Sequence, residues 1–217
     1  MLAARLNLDN RAQIRALKSI THVGALIPLL VMTWDYFNGG LGPDIIRELT
    51  LRTGKSALIL LILSLAVTPL ITLIGWKQLQ PLRKLLGLYA FLYVAVHLLI
   101  FVWLDYLLDL DLILDAIFEK RYALAGFAAF LILLPLAITS TTWAQRKLGK
   151  RWRALHRWVY LAGLLAILHY VWLVKEAYSK PAFYGGLLLL LLLLRLKPIK
   201  LKIGQWQRQW RRARLAG

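Results

Sequence analysis

The chain has 217 residues, of which 60% are hydrophobic, and its mean hydropathy is +0.63. A soluble domain of this size needs a more polar surface, so the composition excludes an ordinary soluble protein and predicts packed membrane helices. The chain contains no cysteine, which excludes disulfides, thiolate metal sites and cysteine catalysis, and its net charge is +18.

Hydropathy predicts an all-α membrane protein, a bundle of six transmembrane helices. Each candidate segment holds about 15 to 21 mainly apolar residues, close to the ~20 that cross a hydrocarbon layer of about 30 Å. The candidates in chain order are 19–37, 56–75, 85–104, 122–142, 156–174 and 182–196.

These spans divide the chain into three parts. Residues 1–18 form a basic N-terminal segment, and the first span after it resembles a signal anchor more than a cleavable signal peptide. Residues 19–196 form the six-helix domain. Residues 197–217 form a short basic tail around Trp206 and Trp210, predicted to be amphipathic and to lie on the inner leaflet.

The charges separate between alternate loops. One side carries 21 of the 28 Lys and Arg residues with a single acid, Asp9, whereas the other side carries the remaining seven with nine acids. The bias of Lys and Arg predicts that both termini are cytoplasmic, which requires an even number of spans. The positive charge therefore reflects multi-pass topology and anionic lipid rather than nucleic acid.

Two histidines lie deep in the predicted bundle. His97 is about 12 residues into the third span and His169 about 13 residues into the fifth, which runs in the same direction. An ionisable residue at that depth is costly unless it is paired, so it is a functional candidate. Neutral imidazoles at one level on two helices suit the two axial positions of a haem iron.

The other two histidines lie nearer the predicted cytoplasmic face. His156 precedes His169 by 13 residues, or about 19.5 Å along a helix, and points about 140° away from it. One haem cannot take both, so two ligands in this helix imply two centres. His22, about 3 residues into the first span, is level with His156.

Each histidine also has a plainer interpretation. His22 and His156 can bind lipid phosphate or water at the interface, and His97 and His169 can each make one hydrogen bond in the core. Trp76, Trp143 and Trp152 fall where an inner aromatic belt is expected.

Three stretches resemble the MsrQ (YedZ) family, haem-binding membrane subunits of a bacterial methionine sulfoxide reductase system. They are "NGGLGPDIIRELTLRTGKSAL" (38–58), "LRKLLGLYAFLYVAVHL" (82–98) and "TSTTWAQRKLGKRWRALHRWVYL" (139–161). The likeness runs from about residue 18 to 197. More distantly, the architecture resembles the membrane domain of ferric reductases and NADPH oxidases.

The resemblance implies a b-type cytochrome of the bacterial inner membrane with one or two haems and FMN. Such a protein takes electrons from the quinone pool and passes them to MsrP, a periplasmic molybdopterin enzyme that reduces methionine sulfoxide. The family's haem ligands correspond to His97, His156 and His169. The oxidase-like relatives carry two histidines about 14 apart on the third helix, whereas here those positions hold Arg83 and Asp111. An inner haem would therefore pair His156 with His22 or with a weak sixth ligand.

Basic and acidic loops offer further candidates. Five cations on the cytoplasmic side could hold haem propionates or an FMN phosphate, and they equally satisfy the positive-inside rule. They are Arg83, Lys84, Arg146, Lys147 and Arg151. The outer acidic loop Asp105–Glu119 either steers a positively charged partner or is simply a solvated loop.

Three functions stay open at this point. The first is the electron-transfer subunit just described, and the second is a cytochrome b subunit of another periplasmic oxidoreductase. The third, of a different class, is a haem-free transporter or scaffold whose histidines relay protons or pack.

Overall fold

The computed structural model describes residues 2–174, 178–196, 198, 199 and 201–205, with side chains from residue 10 onward. These residues are helical with no strand among them, as the all-α prediction requires. The part of the tail around Trp206 and Trp210 lies outside the described residues, so its placement on the inner leaflet stays a prediction.

Nine α-helices follow one another along the described chain. They are α1 (Leu2–Phe37), α2 (Ile45–Ile74), α3 (Gln80–Leu99), α4 (Leu110–Glu119), α5 (Arg121–Ile138), α6 (Thr142–Leu148), α7 (Lys150–Leu155), α8 (Val159–Leu173) and α9 (Ser179–Leu193). Short 3₁₀ turns at Lys77–Leu79 and His156–Trp158 lead into α3 and α8, and a π-helical turn at Ile100–Asp105 extends α3.

Five of the described helical stretches are long and apolar enough to cross a membrane. They are Asn10–Phe37, Ile45–Ile74, Lys77–Asp105, Arg121–Ile138 and Lys150–Leu173. The sixth candidate is α9, an apolar helix of 15 residues. The multi-helix membrane architecture is therefore confirmed, while the sixth span and the cytoplasmic placement of both termini stay predictions. The first helix is also continuous from Leu2, so no break separates residues 1–18 from the span that follows.

The core forms where α2 and α3 pack against α1, α8 and α9. Leu61, Ala90, Tyr93, Ala162 and Leu188 are among its most buried side chains. The closest helix pairs are α2 with α3 and α5 with α8. These two pairs carry the central histidines.

The acidic segment Asp105–Glu119 contains a helix that hydropathy did not reveal. The side chain of Asp109 accepts hydrogen bonds from the backbone N–H groups of Asp111 and Leu112 and so caps the start of α4. Ile113, Ala116 and Ile117 are buried against the bundle, in the spacing of one helical face. The segment is therefore an amphipathic helix that packs on α5 and not an open loop.

Candidate functional site: the histidines between the helix pairs

His97 and His169 lie side by side in the bundle. His97 belongs to α3 and His169 to α8, and their ring centroids are 6.1 Å apart with the ring planes at 90°. The depth argument from the sequence paired these two residues, and the structure brings them into contact.

The backbone fixes the tautomer of both rings. His97 Nδ1 is 2.9 Å from the carbonyl oxygen of Thr50, and His169 Nδ1 is 2.6 Å from that of Tyr122. A carbonyl oxygen only accepts hydrogen bonds, so each Nδ1 carries the proton and each Nε2 keeps a free lone pair. A histidine that binds metal through Nε2 commonly donates its Nδ1–H to a carbonyl in this way.

The arrangement fits a haem iron. Two imidazoles are too few to hold a metal alone, so a metal bound here takes its other ligands from elsewhere, as haem iron does from its porphyrin. Two metal–nitrogen bonds of about 2 Å each would separate two facing ring centroids by roughly 6 Å, close to the observed distance. Tyr122 contacts the ring of His169, and elsewhere in the bundle Phe91 of α3 stacks on Phe130 of α5.

His156 sits in a separate polar cluster at the start of α8. Trp152 stacks on its ring at 4.0 Å between centroids, and its Nε2 is 3.1 Å from the hydroxyl of Thr139. That hydroxyl donates its proton to the Pro135 carbonyl at 2.6 Å, so it accepts from His156 and leaves His156 Nδ1 as the free nitrogen. Trp152, expected only in an interfacial belt, also donates to the Thr139 carbonyl. No sequence pattern had indicated Thr139.

His22 is exposed and has a different partner. Its Nδ1 lies 2.7 Å from the hydroxyl of Tyr89, and the two rings meet edge to face. Among the described contacts, none joins His22 to His156. The structure thus unites the deeper pair of histidines and leaves the shallower two apart.

The five basic candidates differ in position. Arg83 is half-buried and lies within electrostatic reach of both His156 and Arg195. Lys84, Arg146, Lys147 and Arg151 are exposed, with Lys147 over the ring of Trp143. None of the five makes an ion pair within the described part of the chain, where both ion pairs involve Arg52.

Comparison with known proteins points to a single group. Residues 53–167 match the family model described as ferric reductase like transmembrane component, a range that includes His97 and His156 and ends just before His169. The protein-methionine-sulfoxide reductase heme-binding subunit MsrQ of Xanthomonas campestris pv. campestris strain 8004 is 43% identical over 183 residues, covering 82% of this chain and 84% of the relative.

Two further relatives are similar to the same degree. The MsrQ subunit of Bordetella pertussis is 43% identical over 178 residues, which cover 81% of this chain and 86% of that protein. The MsrQ subunit of Xanthomonas oryzae pv. oryzae strain MAFF 311018 is 41% identical over 181 residues, or 81% of this chain and 83% of the relative. No solved structure matches the chain.

Proposed function

The chain belongs to the MsrQ family within the ferric reductase-like membrane proteins, and on that premise we propose that it is a haem b subunit for electron transfer. It passes electrons from membrane quinol to an MsrP-like periplasmic molybdopterin enzyme that reduces methionine sulfoxide in oxidised proteins. The observation that carries this proposal is the contact between His97 and His169, with an Nε2 free on each ring.

His97 and His169 would hold the iron of the principal haem. The haem supplies one-electron redox chemistry, and the protein sets its potential through ligation, burial and hydrogen bonds to the ligands. The carbonyls of Thr50 and Tyr122 hold the two rings and increase the basicity of the free nitrogens.

A second haem nearer the cytoplasm would use His156. The structure offers it no imidazole partner among the described contacts, so the other position would go to His22 after rearrangement or to a weak ligand. Trp152 and Thr139 would then hold His156 in place. Arg83, Lys84, Arg146, Lys147 and Arg151 would bind the propionates or the phosphate of FMN.

The electrons cross from inside to outside in this proposal. Six spans in the bacterial inner membrane place both termini in the cytoplasm and α4 on the periplasmic face, where the catalytic subunit docks. Exposed Asp111, Asp115 and Glu119 on α4 make this face acidic, which suits a partner with a basic patch.

One set of measurements tests the proposal. Purified wild type should show a reducible haem spectrum, and His97→Ala and His169→Ala should each lose most of the bound haem, while His22→Ala and His156→Ala address the inner site. Electron delivery from a reduced quinol analogue to a co-purified catalytic subunit, measured with methionine sulfoxide, tests the pathway.

Different failures have different meanings. Colourless wild-type protein would favour the transporter or scaffold alternative. A haem protein that reduces some other periplasmic enzyme but never supports methionine sulfoxide reduction would favour the alternative cytochrome b subunit.

A further inference from the structure

Both central histidines are held by the same backbone arrangement. His97 reaches the Thr50 carbonyl in α2, and the residue four positions after Thr50 is Gly54. His169 reaches the Tyr122 carbonyl in α5, and the residue four positions after Tyr122 is Gly126. We call each combination of a carbonyl and the glycine four residues later a glycine notch.

The geometry of an α-helix explains why glycine is needed. Every Cα–Cβ bond tilts towards the helix N-terminus, so the Cβ of a residue lies beside the carbonyl four residues earlier. A Cβ at Gly126 would stand 2.7 Å from His169 Nδ1 and 3.0 Å from its Cε1. A Cβ at Gly54 would stand 3.2 Å from His97 Cε1 and 3.3 Å from Nδ1. A methyl group at Gly126 would force the His169 ring to shift relative to its carbonyl, and one at Gly54 would require the His97 ring to move by a few tenths of an ångström.

These two glycines are not simply helix-packing positions. For both, the three nearest atoms to an added Cβ belong to the histidine ring. Gly163 and Gly185, by contrast, face aliphatic side chains, and nothing lies within 4 Å of a Cβ at Gly186. The glycines of the notches thus differ from these three helical glycines in meeting an imidazole.

The two notches are equivalent positions of an internal repeat. Thr50 precedes His97 by 47 residues, and Tyr122 precedes His169 by the same 47. The second set therefore follows the first by 72 residues, and this offset also relates the buried positions of α2 and α5. The pairs are Thr53 with Ala125, Ala57 with Ala129, Leu61 with Leu133, and Ser64 with Leu136.

The same offset of 72 residues also relates buried positions of α3 and α8, the second helix of each pair. Ala90 of α3 is 1% exposed and its counterpart, Ala162 of α8, is 0% exposed. The helix pairs α2–α3 and α5–α8 thus share the same arrangement of buried residues, and each pair places one imidazole beside that of the other pair.

We propose that Gly54 and Gly126 are positioning residues for the haem ligands. Each notch lets its imidazole donate Nδ1–H to a helix carbonyl, and this bond fixes the ring rotation that turns Nε2 towards the iron. This inference rests on the proposed haem ligation by His97 and His169.

The test compares alanine variants of full-length protein purified with its haem. Gly126→Ala and Gly54→Ala should lower the low-spin fraction of the haem and shift its midpoint potential, because one axial imidazole is displaced. The effect should be larger for Gly126→Ala, whose methyl group comes closer to the ring. Gly186→Ala, the matched helical control, should leave both the spectrum and the potential unchanged.

A rescue experiment separates positioning from general packing. In His169→Ala protein whose haem has been restored by expression and purification with free imidazole, the ring is no longer tethered to α8 and can shift away from an added methyl group, so adding Gly126→Ala should cause no further spectral change. A further change of the same size would overturn the proposal by showing that the methyl group acts on the helix. If Gly126→Ala does not fold, Gly54→Ala and the equivalent rescue of His97→Ala decide the question.

The outcomes distinguish this inference from the function on which it rests. If His97→Ala and His169→Ala lose haem while both notch variants keep the wild-type spectrum and potential, the positioning role is wrong and the ligation stands. If the two histidine variants keep their haem, the proposed ligation itself fails.

Discussion

At the scale of single residues, the bundle satisfies backbone groups with side chains where a proline lies inside a helix. Pro28 lies within α1, and beside it the hydroxyl of Tyr93 donates to the Ala25 carbonyl at 2.7 Å and accepts from the Leu29 N–H at 3.0 Å. Tyr93 is 2% exposed, so no water replaces its hydroxyl. The hydroxyl thus stands in for a direct bond from Leu29 to Ala25 and ties α1 to α3.

Removing that hydroxyl should destabilise the bundle. Tyr93→Phe leaves a buried donor and a buried acceptor without partners, which costs about 1–3 kcal/mol where the helix cannot close around the gap. A thermal unfolding assay in detergent should show a lower midpoint for Tyr93→Phe. Tyr178→Phe, at a tyrosine that is 54% exposed, is the control and should unfold like wild type.

The histidines show how far residue-scale prediction reaches. Helix depth was enough to pair His97 with His169, because burial of an ionisable group in lipid has few explanations. The sequence did not indicate a role for Gly54 and Gly126, because a glycine in an apolar run has no polar side chain to mark it as functional. Only the shared offset of 72 residues between the two halves would have pointed to them.

At the scale of helices, the end of α9 is fixed by a cation. Pro69 has no N–H, so the Leu65 carbonyl four residues earlier in α2 lacks its usual helical donor. Arg195 supplies the missing donor, because its Nη2 donates to the Leu65 carbonyl oxygen at 2.5 Å. Its Nη1 donates to the Tyr160 hydroxyl of α8. One guanidinium thus links the end of α9 to both α2 and α8.

A double-mutant cycle should show that Arg195 takes the place of the N–H donor that Pro69 lacks. Arg195→Leu should lower stability by about 1.5–3 kcal/mol, the range for a hydrogen bond to a charged group. In a Pro69→Ala background the loss should be smaller, because the alanine restores the missing N–H for the Leu65 carbonyl. Equal losses in both backgrounds, measured by thermal unfolding, would contradict this account.

The junction of α4 and α5 is held by Lys120. Its ammonium group donates to the Tyr106 hydroxyl at 2.8 Å and lies over the same ring. This hydrogen bond raises the pKa of Lys120 above its ordinary value of 10.5. A raised pKa stabilises the folded state at pH values below that ordinary value, and the contribution is lost as the pH rises through the folded-state pKa.

Tyr106→Phe should lower the pKa of Lys120 towards its ordinary value. An NMR titration of the Lys120 side-chain carbons in wild type and variant would measure the change. An unchanged Lys120 titration would show that the hydroxyl does not set this pKa.

Helix prediction from hydropathy was accurate for the long spans and incomplete between them. Runs of about 20 apolar residues have few alternatives to a membrane helix. The helix α4 was missed because its acids made the segment look like a loop, although Ile113, Ala116 and Ile117 are spaced as one helical face.

At the scale of the whole molecule, the internal repeat explains why His169 has a histidine partner in the other half of the bundle whereas His156 has none. The offset of 72 residues relates His169 to His97 but relates His156 to Lys84, which is exposed. The two halves therefore each supply an imidazole at the level of His97 and His169, and only one half does so at the level of His156. On the proposed haem ligation, this internal symmetry favours one haem bound by two histidines.

The packing of α9 leads to a prediction for the topology. Gly185 faces Ile167, Gly163 faces Leu188, and Arg195 reaches Tyr160, so α9 runs antiparallel along α8. The 15 residues of α9 span only about 22 Å. Because the 24-residue helical stretch Lys150–Leu173, which contains α8, is long enough to cross the membrane, a helix that lies against α8 in the opposite direction should cross as well.

Cysteine labelling can test this sixth crossing, since the chain has no cysteine of its own. We expect a membrane-impermeant maleimide to label Tyr178→Cys in intact spheroplasts, and to label Lys202→Cys only after permeabilisation. Leu114→Cys in α4 and Lys147→Cys in α6, both exposed, serve as outer and inner references. Labelling of Tyr178→Cys and Lys202→Cys from the same side would mean that α9 does not cross, and would place the C-terminus opposite to the cytoplasmic side that its basic residues indicate.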